Sequence, residues 1–135
     1  MIFFDLKEWK EGINAFFIVL NIQQPRFDSN IQRMIQLIND FFNNPKFWNQ
    51  TGIIFTRCFA DCFEESDREM AETQYKARVV DFIKKLPGCQ NISPSMPCFF
   101  VDSKAWKEDK STQDEYIKAF KFAVQFPPVP TNNFK

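Results

Sequence analysis

The sequence predicts an α/β domain, a partial three-layer sandwich of three parallel strands with about four helices. Three observations lead there. The runs 15–22, 52–57 and 97–101 are short, rich in β-formers and largely apolar, as strands covered on both faces must be. Helical-period stretches lie between and around them. Three of these stretches open on a Ser/Thr-x-x-Gln/Glu pattern, which lets a side chain satisfy the free amides of a first helical turn. Strictly alternating strands and helices argue for a parallel sheet with helices on its faces.

Taken in order, Ile2, Leu6, Trp9 and Ile13 recur at roughly helical spacing and predict an amphipathic helix that starts abruptly at Met1. The first strand follows and is closed by Gln23, Gln24 and Pro25. Asp28 or Ser29 is the expected cap of the next helix, with Ser29 and Gln32 forming a capping box. Its buried stripe is Ile31, Met34, Ile35, Ile38, Phe41 and Phe42, and Asn43, Asn44 and Pro45 stop it. After the second strand, Ser66 and Glu69 predict a helix carrying Met70, Tyr75, Val79, Phe82, Ile83 and Leu86, ended by Pro87-Gly88. After the third strand, Thr112 and Glu115 are the expected box of a last helix with Tyr116, Ile117, Phe120, Ala123 and Val124. Pro127, Pro128 and Pro130 end it, so residues 1–126 are expected to form the domain and 127–135 an extended tail. The two middle helices should share one sheet face and the last helix the other. The first strand, 16–22, would be an exposed apolar edge, which native domains usually avoid. The sheet therefore reads as cut, with further strands expected before Met1.

Composition excludes whole function classes. The chain has no histidine, which removes imidazole metal ligands, Ser-His triads and Cys-His dyads. Its 17 basic and 17 acidic side chains cancel, leaving no electrostatic footprint for nucleic acid. No apolar run nears the ~20 residues of a bilayer span, so no transmembrane segment is expected. Asp5, Lys7 and Glu8 interrupt the first apolar stretch and speak against a signal peptide; a cytoplasmic location is the expectation. Cys58, Cys62, Cys89 and Cys98 lack paired Cys-x-x-Cys spacing and read as separate thiols, so no metal site is expected. Lys104, Lys107 and Lys110 alternate with acids as a solvated face does.

Chemistry in such sheets gathers at the carboxyl ends of the strands. Those ends here are 21–28, 56–61 and 102–104. The chain holds only three glycines, Gly12, Gly52 and Gly88, and none belongs to a Gly-x-x-x-x-Gly-Lys-Ser/Thr loop or a dinucleotide fingerprint. The run Phe16-Phe17-Ile18-Val19-Leu20, the helix start Arg26-Phe27-Asp28, the helix end Phe41-Phe42 and the run Thr51-Gly52-Ile53-Ile54-Phe55-Thr56-Arg57 together resemble the avirulence-induced-gene type of G domain. That family includes the immunity-associated GTPases and is similar to the chloroplast envelope translocon GTPases. Phe99-Phe100-Val101-Asp102-Ser103 resembles its last base-contacting loop. The resemblance covers about residues 1–125, and it corresponds to the carboxyl-terminal, base-reading half of that domain.

The resemblance implies GTP or GDP as ligand, slow hydrolysis as family activity, and dimerisation through the nucleotide face. It places the guanine loops on Thr56, Arg57, Asp61, Asp102 and Ser103. The chain departs from the pattern in lacking the P-loop, the Asp-x-x-Gly segment and the Mg²⁺-binding threonine, so no catalytic residue is assigned. Phe59 stands where the base-reading aspartate belongs, and Asp61 follows two residues later. Asp61 has two readings, a loop acid or a displaced base reader. Arg57 is either a solvated strand-end charge or a stacking partner for a base. Asp102 and Ser103 are either a plain turn or a retained base loop. The expected outcome for this chain alone is weak or absent nucleotide binding without turnover. The alternatives are an interaction module, pairing through strand 16–22 with a second copy or a partner chain, and a truncated remnant.

Overall fold

The computed structural model describes residues 15–23, 27–42, 44–59, 63–102 and 110–126. The expected first helix and the proline-rich tail lie outside them. The elements run β1 (Phe16–Asn21), α1 (Ser29–Phe42), a 3₁₀ turn (Pro45–Gln50), β2 (Thr51–Thr56), α2 (Glu65–Met70), a π-helical turn (Ala71–Tyr75), α3 (Lys76–Lys84), β3 (Cys98–Phe100) and α4 (Lys110–Val124). The strands form one parallel sheet in the order β1-β2-β3. The α/β class and the three parallel strands with four helices are thus as expected.

Alternation along the strands sorts the two faces. Ile18 and Leu20 of β1, Ile53 and Phe55 of β2 and Phe100 of β3 join Ile35, Ile38 and Phe42 of α1 and Val79 and Ile83 of α3 in one buried cluster. The opposite face carries Phe17 and Phe99, whose rings stand 6.0 Å apart and meet Phe122 of α4 at 6.1 and 6.2 Å. α1 and α3 therefore cover one face and α4 the other. Gly52 lies opposite Phe17 in the register. A Cβ there would come within 3.1 Å of the Pro97 carbonyl oxygen and 3.2 Å of the Phe17 ring, so any side chain would press both back by a few tenths of an ångström.

Several boundaries differ from the sequence reading. Of the two residues expected to cap α1, Asp28 does so: its Oδ1 accepts from the Asn30 and Ile31 amides, both at 3.1 Å. α2 begins at Glu65, ahead of the expected Ser66 box, because Asp67 Oδ2 already accepts the Glu64 amide at 3.0 Å. The 3₁₀ turn has no counterpart in the sequence reading. Pro45 sits in its first turn, and Asn44 accepts the Lys46 amide at 3.1 Å. The turn buries Phe47 and Trp48 beneath α1, with Phe47 stacked on Phe42 at 4.0 Å.

Helix residues 65–84 run on through the π turn. Its inward positions are Ala71, Tyr75, Val79 and Ile83, and Ala71, not Met70, is buried. A strict four-residue spacing drifts about 40° per step around an α-helix. The wider π turn takes up part of that drift and keeps Ala71 aimed at the core. The chain then leaves the helix through Gly88, whose φ of +81° suits glycine alone.

α4 shows the largest departure. Thr112 and Glu115 are not its cap. They lie within the helix and are buried, with Ala119, on the sheet side. Tyr116, Ile117, Phe120 and Val124 are exposed instead. Among the described residues no helix is long and apolar enough to cross a membrane.

Candidate functional site at the carboxyl edge of the sheet

β2 ends in a contact that fixes its exit loop. Arg57 takes up a positive φ of 60°, and the chain turns back so that the Cys58 amide donates to the Val101 carbonyl at 3.1 Å. Val101 in turn donates to Phe55 at 2.9 Å. The loops after β2 and β3 are thereby locked side by side. From β1, the Gln23 side chain donates to the Arg57 carbonyl at 3.1 Å, joining the third strand end to the same edge.

Thr56 and Arg57 thus stand at the end of β2 and Asp102 at the end of the adjacent β3. The shared edge does not make them converge. The Thr56 hydroxyl donates to the Leu20 carbonyl at 3.4 Å, which ties it to β1. Arg57 is exposed. Asp102 is buried, and its amide donates to the Thr112 hydroxyl at 2.8 Å, so α4 occupies that backbone donor. Phe59 is half-buried. Asp61 and Ser103 lie outside the described residues. Among the described residues the edge thus presents an exposed guanidinium, Arg57, near a buried carboxylate, Asp102.

The sequence reading missed the group that does converge. Arg68, on α2, lies over the Phe100 ring at 4.3 Å and reaches Glu115 of α4, Nη1 to Oε1, at 3.5 Å. Glu115 is buried, and Lys118 Nζ stands 4.0 Å from the same oxygen. This pair bridges the elements that follow β2 and β3. The signal in the sequence was the Thr112/Glu115 pattern, which also fits a capping box and concealed a buried carboxylate. Among the described residues no group of three or more potential ligands gathers to hold a metal ion.

Cys58 is buried beside this pair. Desolvation pushes its thiol pKa from 9.0 up to about 12, opposed by the Val101 contact and the Arg68 charge. Burial likewise raises Cys98 from 9.0 to about 11. Both thiols are therefore protonated at neutral pH and poor nucleophiles. Their folded-state pKa values lie above the unfolded ones. The stability they contribute is present below pH ~9 and is lost as pH rises toward 11 and 12. Urea midpoints should accordingly fall between pH 9 and 11, and iodoacetamide should modify Cys58 at pH 8 only at the rate of unfolding. Stoichiometric labelling of Cys58 in the folded protein within minutes would contradict this burial.

No protein-family model matches the chain, and no curated protein and no solved structure is significantly similar to it.

Proposed function

We propose that this chain is a guanine-nucleotide-domain type of module that does not turn over nucleotide by itself. Binding of GTP or GDP by the chain alone is weak or absent. The observation that carries the reading is the arrangement at the sheet edge. Thr56-Arg57 and Asp102 end two adjacent parallel strands, where such domains read a base, while the Thr56 hydroxyl and the Asp102 amide are taken by Leu20 and Thr112. An unpaired guanine donor in a closed site costs discrimination, and Phe59 offers it no acceptor. Phosphate and Mg²⁺ contacts position and stabilise phosphoryl transfer, and the sequence carries no loop to supply them. The α/β topology and the places of Thr56-Arg57 and Asp102 at adjacent strand ends support this reading.

Isothermal titration with GTP and GDP in the presence of Mg²⁺, with ATP as control, tests it. Dissociation constants no tighter than about 1 mM, and no phosphate release, are expected. Micromolar, guanine-selective binding, or Mg²⁺-dependent hydrolysis, would overturn the reading and make Arg57 and Asp61 the first residues to substitute.

A second reading has its own observation. Among the described residues β1 is paired only with β2, and Val19 on it is 49% exposed. An open apolar strand edge supports β-augmentation by a partner chain.

A further inference from the structure

α4 is amphipathic in the wrong sense for a helix lying on a monomer's surface. It turns Thr112, Glu115 and Ala119 inward, yet leaves Ile117, Phe120 and Val124 at 51%, 68% and 58% exposed. These three recur at the i, i+3, i+7 spacing of a continuous apolar stripe. Lys110, Lys118 and Lys121 line one flank of the stripe, all exposed, with Asp114 as the single exposed acid of the helix. Immediately next to this basic flank stands an acidic one. Glu64, Glu65, Asp67, Glu69 and Glu72 are exposed along α2 and the π turn, and Met70 among them is 44% exposed. The two flanks are physically joined: Glu65 to Arg68 at 3.9 Å, Arg68 to Glu115 at 3.5 Å, and Glu115 to Lys118 at 4.0 Å.

An apolar stripe with a basic and an acidic patch side by side is self-complementary. In an isologous contact each patch meets its opposite on the second copy, in both directions at once, because residue i touches j while j touches i. We propose that the α4 stripe, with the neighbouring acidic α2, is a two-fold interface between two copies of this chain. Phe120 is the apolar anchor near the axis. Lys121 faces the acidic flank of the other copy, with Glu69 as its counterpart. An anionic lipid surface is the poorer occupant, since the acidic flank beside the stripe would be driven against it. The proposal does not rest on nucleotide binding, so it stands whether or not the chain binds GTP.

Sedimentation velocity of the full chain, from micromolar to several hundred micromolar, tests the proposal. A monomer–dimer equilibrium that weakens with added salt is expected. Phe120→Asp should weaken it about a hundredfold, as loss of a central aromatic anchor does, and its exposure means the fold is unaffected. Lys121→Glu should weaken it less, and Lys121→Glu/Glu69→Lys in one chain should restore it. A monomer at every concentration overturns the proposal. So does a dimer indifferent to Phe120→Asp but broken by Val19→Lys, which would place the contact at β1. Flotation of wild type, but not of Phe120→Asp, with phosphatidylserine vesicles while the protein stays monomeric would replace the second copy by a membrane.

Discussion

Trp48→Ala is expected to lower the unfolding free energy by about 3–5 kcal/mol, the range of a large buried aromatic cut to a methyl. Trp48 is fully buried in the turn between α1 and β2 and packs edge-on to Phe47 at 5.6 Å. Its indole Nε1 donates to Asn39 Oδ1 at 3.0 Å, and the Cys89 thiol donates to the same oxygen at 3.3 Å. Truncation opens a cavity and removes the stronger of two donors to a buried amide oxygen, and both terms act in the same direction. A domain of this size has roughly 5–15 kcal/mol in all, so a large share of the stability disappears. Trp48→Phe keeps most of the ring and loses the hydrogen bond, and should cost about 1–2 kcal/mol. Urea denaturation followed by far-UV circular dichroism reads both. If Trp48→Ala unfolds within 1 kcal/mol of wild type, the turn is not part of the core.

The second large effect belongs to the buried ion pair. Arg68→Ala leaves Glu115 buried with Lys118 as its remaining ion-pair partner among the described residues, and removes the guanidinium from the Phe100 ring. Breaking a buried pair on one side costs about 3–5 kcal/mol. Arg68 is itself partly exposed, and Lys118 can compensate in part, which places the expected loss near ~2–3 kcal/mol. The paired substitution Arg68→Met/Glu115→Met should recover most of it, because two apolar groups leave no stranded charge. A double-mutant cycle in urea separates the outcomes. Additive single effects would mean that the two side chains do not interact. A strong coupling would confirm that α2 and α4 are held together across the sheet edge by this contact.

Much of the scaffold could be read from residue order. The apolar runs around Ile18, Ile53 and Phe99 became three parallel strands, a setting in which helices cover both faces of a short apolar run. The stripe of α1 was legible for the same kind of reason: Ile35, Ile38 and Phe42 are apolar at a helical period, and one period allows one inward face. The site was less legible. Thr56, Arg57 and Asp102 could be placed at strand ends, but not the directions of their side chains. The Thr56 hydroxyl turns to Leu20, 36 residues away along the chain, and the Asp102 amide is taken by Thr112, 10 residues away.

Sequence by itself determined the α/β class, the order of the three strands and of the helices between and after them, the absence of histidine chemistry and the lack of a phosphate loop in this chain. These follow from local periodicity and composition, which need no neighbours. Only the tertiary structure decided the rotation of α4. Its apolar residues allowed Ile117, Phe120 and Val124 to face the sheet, but Arg68 offered Glu115 a buried partner and Asp102 offered Thr112 a backbone donor. A buried charge-assisted contact and a buried hydrogen bond can be satisfied in one orientation, whereas apolar burial is non-directional and proportional to area. The same orientation buries Ala119 and sets Phe122 against Phe17 and Phe99 while it gives Thr112 and Glu115 their partners, and it leaves Ile117, Phe120 and Val124 outside.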